Sequence, residues 1–492
     1  MKKLVVLCVV LMCSSVAFAD VQLRASRIDS ALAQATWGDF NGDGLDDVLR
    51  NNMLQWNVGG RFSAPMTLAQ FDEHAAFAED AIDVNGDRHA DIIRYATDGA
   101  LSLYLGDGAG GFTEHAFPNQ YGSLVKVADF TNDGIPDALI VNTGKLWILR
   151  NDGAANFTLH QELNWPEREL FPEVGIGDLN GDATADFAVA SETRLYVFYG
   201  NADGIFGEPR VRFTRRPIGL INIGDVTGDA RNDLSGLHTF NGKEGPVVLM
   251  GDGAGRFPGV SRHHVQTDFS NDTLVIGDFI PGGAKEIAYS DPLGTVHLLT
   301  ALNGGIRDVG SVTIDADIRP WTDNIGPRLA VRHFRNASQD DLIVQAYSLD
   351  VRANPPSRVW LVDVQGNVSP IATASTRSRS RAVAGFADRL AGDYRVDILE
   401  SSCPITLSAV KFEQEGMFID VQLNEQIRGA EAIYMDGQLW VRLTVMSNGT
   451  VRELNGMLKP VLTGGFAGKL FEDGATPCGG WQWHNVVLSV ER

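Results

Sequence analysis

The sequence predicts an all-β protein made of repeated units, and three observations support this prediction. A nine-residue phrase rich in Asp, Asn and Gly returns every 44 to 55 residues along most of the chain. Short segments rich in branched and aromatic residues lie between the copies and are separated by turn-forming residues, as expected of strands. Glycine accounts for 53 of the 492 residues, and this content is typical of a β protein with many turns.

The first copy of the phrase spans residues 39–47 and reads Asp-Phe-Asn-Gly-Asp-Gly-Leu-Asp-Asp. Oxygen-bearing side chains fall at positions one, three, five and nine, and position seven can contribute a backbone carbonyl. A hard cation such as Ca²⁺ takes about six to eight oxygen ligands, and the mutual repulsion of close carboxylates favours a cation among them. The alternative is a solvated turn, because Asp, Asn and Gly are also common turn formers.

The phrase occurs five times with its oxygen donors intact. Positions one, five and nine are Asp in every copy, position three is Asn or Thr, and position seven varies freely, as a backbone ligand allows. The predicted metal ligands are Asp39, Asn41, Asp43, Leu45 (carbonyl) and Asp47; Asp83, Asn85, Asp87, His89 (carbonyl) and Asp91; Asp129, Thr131, Asp133, Ile135 (carbonyl) and Asp137; Asp178, Asn180, Asp182, Thr184 (carbonyl) and Asp186; and Asp225, Thr227, Asp229, Arg231 (carbonyl) and Asp233. The repetition favours calcium over an ordinary turn and predicts about five Ca²⁺ sites.

Two further copies, residues 278–286 and 333–341, keep the spacing but lose oxygen donors, so we expect no ion in either. The replacing residues are Ile280 and Gly282 in the first of these copies, and His333, Arg335 and Ala337 in the second. The five intact loops are not EF-hands, because an EF-hand requires Glu at its twelfth position, where this chain has Arg, Arg, Ile, Val and Gly.

Each repeat contains the pattern of four short strands. An apolar segment leads into the loop, a strand follows, a second strand ends in a Gly-rich turn and Phe, and a last segment runs to the next repeat. Four-stranded units repeated seven times favour a seven-bladed β-propeller, in which the blades protect one another's edges. Residues 21–28 form an extra strand that could pair with residues 359–364 and close the ring, while residues 368–372 compete for the same place.

At these phrases the chain resembles the FG-GAP/VCBS repeat family, which includes the propeller of integrin α-subunits. The phrase Asp-x-Asn-Gly-Asp-Gly-x-x-Asp, as found at residues 39–47, marks that family. The resemblance covers about residues 30–376. It implies a seven-bladed propeller with calcium ions in hairpin loops on one face, and it leaves the ligand of the protein open.

The N-terminus predicts export. Lys2 and Lys3, the apolar residues 4–12 and the Ala-Phe-Ala at residues 17–19 form a secretory signal peptide over residues 1–19, with cleavage before Asp20. The apolar run is too short to span a bilayer. Cys13 raises the question of a lipid anchor, but the large Met12 before it argues against a lipoprotein. The short signal resembles bacterial ones, so we predict a secreted or periplasmic protein with its propeller in residues 20–376.

The net charge of −21 disfavours nucleic acid and anionic membranes as partners. Residues 374–381 are basic and polar and lack periodicity, so we place a linker at residues 377–391. A contact of this basic run with an anionic surface is the alternative to a solvated linker.

Residues 392–492 predict a C-terminal β domain, either a small sandwich or an open barrel. Strand-like runs occur at residues 394–400, 407–412, 417–423, 439–445 and 486–490. After signal cleavage only Cys403 and Cys478 remain, and export predicts that they form one disulfide. Trp481 and Trp483 would share one face, either in the core or as a sugar-stacking platform. An early Gly-x-Tyr and a late Cys give a weak similarity to lipocalin-like ligand-holding domains.

The sequence contains neither the Gly-x-Ser-x-Gly nor the His-Glu-x-x-His motif, and no phosphate-binding or dinucleotide-binding loop. Its one adjacent histidine pair, His263 and His264, lies in an expected outer strand. Whether the protein is an enzyme stays open, and the sequence favours binding. We predict a calcium-binding adhesion or binding module for an extracellular or periplasmic protein or glycan. The alternatives are a polysaccharide lyase or hydrolase with its site in the propeller funnel, and a carbohydrate-binding lectin.

Overall fold

The computed structural model describes residues 21–28, 35–50, 52–68, 78–95, 101–115, 117, 124–142, 144–165, 167, 172–216, 218–240, 243–263, 274–291, 294–314, 328–347, 357–365, 390–403, 405, 407–415, 417–435, 438–447, 449–461, 465–472 and 482–490. The predicted signal peptide and most of the predicted linker lie outside these residues. Within them, no helix has the length and apolar character needed to cross a membrane.

The chain forms seven four-stranded antiparallel sheets and one closed barrel. The first strand is β1 (Gln22–Arg27). Blade 1 contains β2 (Thr36–Gly38), β3 (Asp47–Arg50), β4 (Met53–Gln55) and β5 (Met66–Thr67). Blade 2 contains β6 (Ala78–Ile82), β7 (Asp91–Tyr95), β8 (Leu101–Gly106) and β9 (Phe112–His115). Blade 3 contains β10 (Leu124–Ala128), β11 (Asp137–Asn142), β12 (Lys145–Asn151) and β13 (Phe157–Asn164). Blade 4 contains β14 (Glu173–Gly177), β15 (Asp186–Ala190), β16 (Arg194–Phe198) and β17 (Arg210–Phe213).

The remaining blades follow the same order. Blade 5 contains β18 (Ile218–Gly224), β19 (Asp233–Phe240), β20 (Lys243–Met250) and β21 (Gly259–Arg262). Blade 6 contains β22 (Leu274–Gly277), β23 (Glu286–Ser290), β24 (Thr295–Thr300) and β25 (Arg307–Thr313), with a 3₁₀ turn at Leu302–Gly304. Blade 7 contains β26 (Arg328–Arg332), β27 (Asp341–Tyr347) and β28 (Ser357–Gln365), and β1 is its fourth strand. This arrangement confirms the predicted seven-bladed propeller.

The N-terminal strand closes the ring. β1 runs antiparallel to β28, with Gln22 opposite Gln365 and Arg27 opposite Trp360. The first and last strands of the propeller therefore belong to one sheet, so backbone hydrogen bonds between the two ends of the chain segment hold the ring shut. The competing segment, residues 368–372, lies outside the described residues.

Aromatic side chains fill the space between neighbouring blades. The Phe that follows each Gly-rich turn is buried in blades 2 to 5. These residues are Phe112, Phe157, Phe206 and Phe257. Between blades 3 and 4, the ring of Phe130 from the blade 3 loop meets Phe187 and Phe206 of blade 4 edge-on, with ring centroids 6.1 and 6.2 Å apart. The Phe of the repeated Gly-turn-Phe pattern is therefore a residue that packs one blade against the next.

The C-terminal domain is a closed eight-stranded barrel, which is one of the two predicted architectures but closed rather than open. Its strands are β29 (Gly392–Ser401), β30 (Ala409–Glu415), β31 (Phe418–Val421), β32 (Ile427–Met435), β33 (Gln438–Ser447), β34 (Thr450–Pro460), β35 (Gly465–Glu472) and β36 (Gln482–Val490). Leu390, which the sequence placed in the linker, is buried in the barrel core.

Three barrel strands, β32, β34 and β35, have no counterpart among the sequence predictions. In β34 and β35, inward positions hold buried charged residues, which hide the apolar alternation of a strand. Arg452 of β34 and Glu472 of β35 are both buried and paired, with Arg452 Nε donating to Glu472 Oε1 over 2.7 Å. This ion pair and the neighbouring His484 occupy one end of the barrel interior, while apolar side chains fill the rest.

The barrel packs against blades 4 and 5. Met417, Phe418 and Ile433 of the barrel share one apolar cluster with core residues of both blades. Beside this cluster, the nearly buried Arg212 of β17 pairs with Glu415 at 2.6 Å and with Asp420 at 2.9 Å. Because charges at this depth require a partner, these pairs favour one orientation of the barrel on the propeller.

Candidate metal centres

The five aspartate loops occupy equivalent places in blades 1 to 5. Each loop connects the first strand of its blade to the second, and its position nine is the first residue of that second strand. Because the blades of a propeller are related by rotation about one axis, all five loops lie on the same face. Neighbouring loops touch: Ala90 N donates to Asp39 O over 2.8 Å, and Asn232 Nδ2 donates to Asp178 O over 2.8 Å.

The carboxylate at position one closes each loop by accepting backbone amides. Asp39 Oδ1 accepts from Gly42 N at 2.8 Å and from Asp43 N at 3.0 Å, and its Oδ2 accepts from Gly44 N at 2.8 Å. The equivalent aspartates of blades 2 and 5 make the same three bonds. A carboxylate has about four acceptor sites, so these bonds leave room for a cation. They are also the bonds that the solvated-turn alternative requires.

The backbone at positions four and six is left-handed in all five loops. Position four is Gly in four loops and Asn132 in the other, and position six includes the non-glycine residues Arg88, Ala183 and Ala230. Left-handed backbone is unfavourable for residues with a Cβ. The two degenerate copies differ, because Pro281 holds position four in blade 6 and neither position is left-handed in blade 7.

The carboxylate at position five fixes position seven. In every loop its Oδ1 accepts the backbone amide of position seven, as in the bond from Leu45 N to Asp43 at 2.9 Å. The amides of the predicted carbonyl ligands Leu45, His89, Ile135, Thr184 and Arg231 are all held in this way.

The carboxylate at position nine is a buried structural link. Asp47 accepts from Phe40 N within its own loop at 3.0 Å and from Asn57 N, after the third strand, at 2.7 Å. Equivalent pairs of bonds occur at Asp91, Asp137, Asp186 and Asp233. Burial raises the pKa of Asp47 to about 7 and the pKa values of Asp91, Asp186 and Asp233 to about 6. A cation nearby would favour the charged forms.

Blade 3 brings its predicted ligands closest together. One oxygen from each of Asp129, Asp133 and Asp137 lies within 4.8 Å of the others. Among the described residues, no other group of three acidic, His or Cys side chains converges in this way. Arg150 also pairs with Asp133, at 3.0 Å, so part of the negative charge is already offset.

The threonines at position three have buried hydroxyl groups. Thr131 Oγ1 in blade 3 and Thr227 Oγ1 in blade 5 lie beside the carboxylates of Asp137 and Asp233, and neither makes a well-aligned hydrogen bond. An oxygen at this position is a suitable ligand for a hard cation. The side chains present therefore fit calcium.

The degenerate copies keep the acid at position nine in other surroundings. In blade 7, Arg335 stands at position three and its guanidinium pairs with the buried Asp341 at 2.6 Å and with Asp363 at 2.7 Å. In blade 6, Glu286 stands at position nine and accepts amides from Phe279 and Ile280 at 3.1 and 3.0 Å. Sequence reasoning treated Arg335 as a lost donor, although an Arg at a ligand position is itself a signal of charge replacement.

Several predicted residues lie away from these loops or outside the described part. Cys403 is buried in the barrel, while Cys478 is outside the described residues, so their pairing stays a prediction. Trp481 and His264 are also outside. Trp483 lies partly exposed on the outer barrel surface with Lys469 Nζ 4.9 Å from its ring, so it is not a core residue.

A family model for FG-GAP-like repeats matches residues 83–140 and 129–189, which include the loops of blades 2, 3 and 4. Residues 83–189 of the propeller therefore contain FG-GAP-like repeats. No curated protein matches the chain.

Solved structures similar to this propeller share little sequence with it. A lectin of Agrocybe aegerita described as recognising non-reducing terminal N-acetylglucosamine has 19% identity and a TM-score of 0.48, over 62% of this chain and 93% of its own. Apo AztD from Citrobacter koseri has 14% identity and a TM-score of 0.35, over 67% and 89%. The Photorhabdus luminescens Tc holotoxin pore has 11% identity and a TM-score of 0.40, over 93% of this chain and 20% of its own. At these values the similarities assign no ligand.

The left-handed loop conformation predicts a backbone effect at Gly86. Its φ is +79° and an added Cβ would meet nothing within 4 Å, so Gly86→Ala changes only backbone strain. We expect the free energy of unfolding, measured by urea titration, to fall by about 1 kcal/mol. Gly207→Ala, at an exposed glycine with equally open space and no positive φ, is the control. Equal losses in both variants would contradict the assignment.

Because Glu286 is buried, we predict that the stability of the protein depends on pH even when no ion is bound. Burial raises its pKa to about 8 from an ordinary value of 4.5. The folded state therefore holds a proton that the unfolded state has lost, and stability falls as pH rises from about 4.5 to about 8. Glu286→Gln, which keeps an acceptor for both amides, should gain stability relative to the native chain between pH 5 and 9.

The measurement for Glu286 is chemical denaturation in EDTA at several pH values, with the exposed Glu208→Gln as the control. A stability difference between Glu286→Gln and the native chain that does not change with pH would show that Glu286 is charged throughout.

Proposed function

We propose that this protein is an exported, calcium-stabilised binding module, whose propeller contacts a protein or glycan outside the cytoplasm. The observation that supports the proposal most strongly is in blade 3. There, three carboxylates converge within 4.8 Å in a loop whose Thr131 hydroxyl is also buried. Carboxylates at that separation repel one another unless a cation lies among them.

The distribution of charge supports calcium in all five loops. The loops place fifteen predicted aspartate ligands on one face of a chain whose net charge is −21. Five divalent cations would offset ten of those charges. Because neighbouring loops are hydrogen-bonded to each other, ions in the loops would also stiffen that face as a unit. A stiff set of loops on a rigid scaffold is a suitable recognition surface.

The repeated aromatic residues do not support a lectin with one sugar site per blade. Phe112, Phe157, Phe206 and Phe257 recur at equivalent positions, and all four are buried between blades. Partner recognition is therefore assigned to the polar loops rather than to these rings. Export rests on the signal peptide that the sequence predicts.

Calcium should stabilise the native chain, and it should stabilise a variant that lacks one predicted calcium ligand to a smaller extent. In excess Ca²⁺, each occupied site adds about 2.7 kcal/mol when the ion is at a hundredfold excess over its Kd. Asp133→Asn in blade 3 should therefore lose about that amount in Ca²⁺ and little in EDTA, where removing a charge also relieves repulsion. Thermal unfolding of the native chain and of Asp133→Asn, each in EDTA and in millimolar Ca²⁺, measures the stabilisation by calcium and its loss in the variant.

The control for Asp133→Asn is Asp152→Asn in the same blade. Asp152 also closes a turn, accepting amides from Ala154 and Asn156 at 2.9 and 3.2 Å, but it lies outside the aspartate loop. Its loss should be equal in EDTA and Ca²⁺. The proposal fails if calcium does not raise the unfolding temperature of the native chain, or if both variants respond to calcium alike.

A further inference from the structure

The junction between the barrel and blade 4 contains a cleft of about 640 Å³. Thr193, Phe213 and Arg215 line it from the propeller, and Trp440, Arg442 and Asn455 line it from the barrel. Thr193 lies in the turn between the second and third strands of blade 4, whereas the aspartate loop joins the first and second. Because the strands are antiparallel, these two connections lie at opposite ends of the sheet. The cleft therefore opens away from the proposed calcium face.

Arg215 is the distinctive residue of this cleft. Its guanidinium carbon lies 3.4 Å from the ring centroid of Trp440. In the described part of the chain, no acceptor bonds the guanidinium and no carboxylate pairs with it. Partial burial and the neighbouring Arg216 lower the pKa of Arg215, consistent with a cation that lacks a counter-charge. A stacked guanidinium keeps the N–H donors in its plane available to a ligand.

The backbone of Arg215 is unfavourable for the residue it carries. Its φ is +65°, in the left-handed region, and its amide donates to Thr193 O over 3.2 Å. Glycine would adopt this conformation without steric cost. Strain of this kind persists where the side chain has a function, and here it places the guanidinium on Trp440.

The barrel side of the cleft offers further polar groups. Arg442 and Asn455 lie opposite each other on β33 and β34, on the outer face of the barrel. Arg442 pairs with Glu453, which also lines the cleft, at 3.3 Å, and with Glu431 at 3.9 Å. The pair with Glu453 is weak because both side chains are about half exposed, and the contact with Glu431 is long, so Arg442 can exchange these partners for a bound anion.

We propose that this cleft binds the carboxylate of an acidic saccharide. Arg215 would pair with the carboxylate through two parallel N–H donors, with Arg442 as a second cation. Asn455 and Thr193 would bond ring hydroxyls. The cleft volume lies within the range of about 300–1,000 Å³ found for small-ligand sites. This site is separate from the proposed calcium-dependent face and involves none of its residues.

Calorimetric titration of the full mature chain tests the proposal, with trigalacturonate as the acidic probe and galactotriose as its neutral counterpart. We expect binding of trigalacturonate alone, weakened by Arg215→Gln about tenfold or more, as for the loss of a charge-assisted pair. Arg216→Gln removes the same charge from the exposed neighbour and should weaken binding by about twofold or less. Arg215→Gly should also lose binding while keeping its unfolding temperature, because it relieves the left-handed strain.

Three results would overturn the proposal. The first is the absence of trigalacturonate binding, or equal binding of galactotriose. The second is equal weakening by Arg215→Gln and Arg216→Gln, which would indicate general attraction to positive charge. The third is tighter binding of N-acetyl-triglycine, with the same dependence on Arg215, which would assign the cleft to a peptide carboxyl terminus instead.

Discussion

The propeller depends on the buried carboxylate that begins the second strand of every blade. All seven repeats have an acid there, and it accepts backbone amides of the preceding loop in each of them. In blades 1 to 5 it also bonds the chain after the third strand, as Asp47 does with Asn57 N at 2.7 Å. The two repeats without metal ligands keep this acid as Glu286 and Asp341. Its first role is therefore structural, and ligation of an ion would be a second role.

This constraint requires that the buried acid be neutralised in some way, by a proton or by a positive charge. A buried carboxylate beside two or three others is unfavourable when ionised, as the raised pKa of Asp47 shows. Blade 7 solves the problem with the guanidinium of Arg335, which lies beside Asp341. Blades 1 to 5 have oxygen donors where that guanidinium stands. The most economical account is that a mobile cation occupies the place that an arginine occupies in blade 7.

Much of the propeller could be predicted from the sequence because the same local structure recurs in each repeat and requires the same residue types at fixed positions. Asp, Asn and Gly at fixed positions specify the loop, and the Gly-turn-Phe pattern specifies the packing of blades. The N-terminal strand was also predictable, since a ring of β-sheets needs its edge paired. The pairing of Gln22 with Gln365 shows that the N-terminal strand takes the place beside β28 for which residues 368–372 were the alternative.

The barrel was less predictable because its interior is not uniformly apolar. β34 and β35 place Arg452 and Glu472 inside, so the alternation expected of a strand is broken. Contacts between distant segments, such as Arg212 with Glu415 or Arg215 with Trp440, leave no local pattern at all. The candidate metal ligands could be listed from the sequence, but the burial of the Thr131 and Thr227 hydroxyls could be seen only in the fold.

The most direct measurement is long-wavelength X-ray diffraction from crystals grown with calcium, analysed for anomalous scattering. The account predicts one calcium peak in each aspartate loop of blades 1 to 5 and none at residues 278–286 or 333–341. Absence of peaks from all five loops at millimolar calcium would contradict it. A calcium peak beside Arg335 would contradict it as well, because that guanidinium is held to occupy the place of the ion.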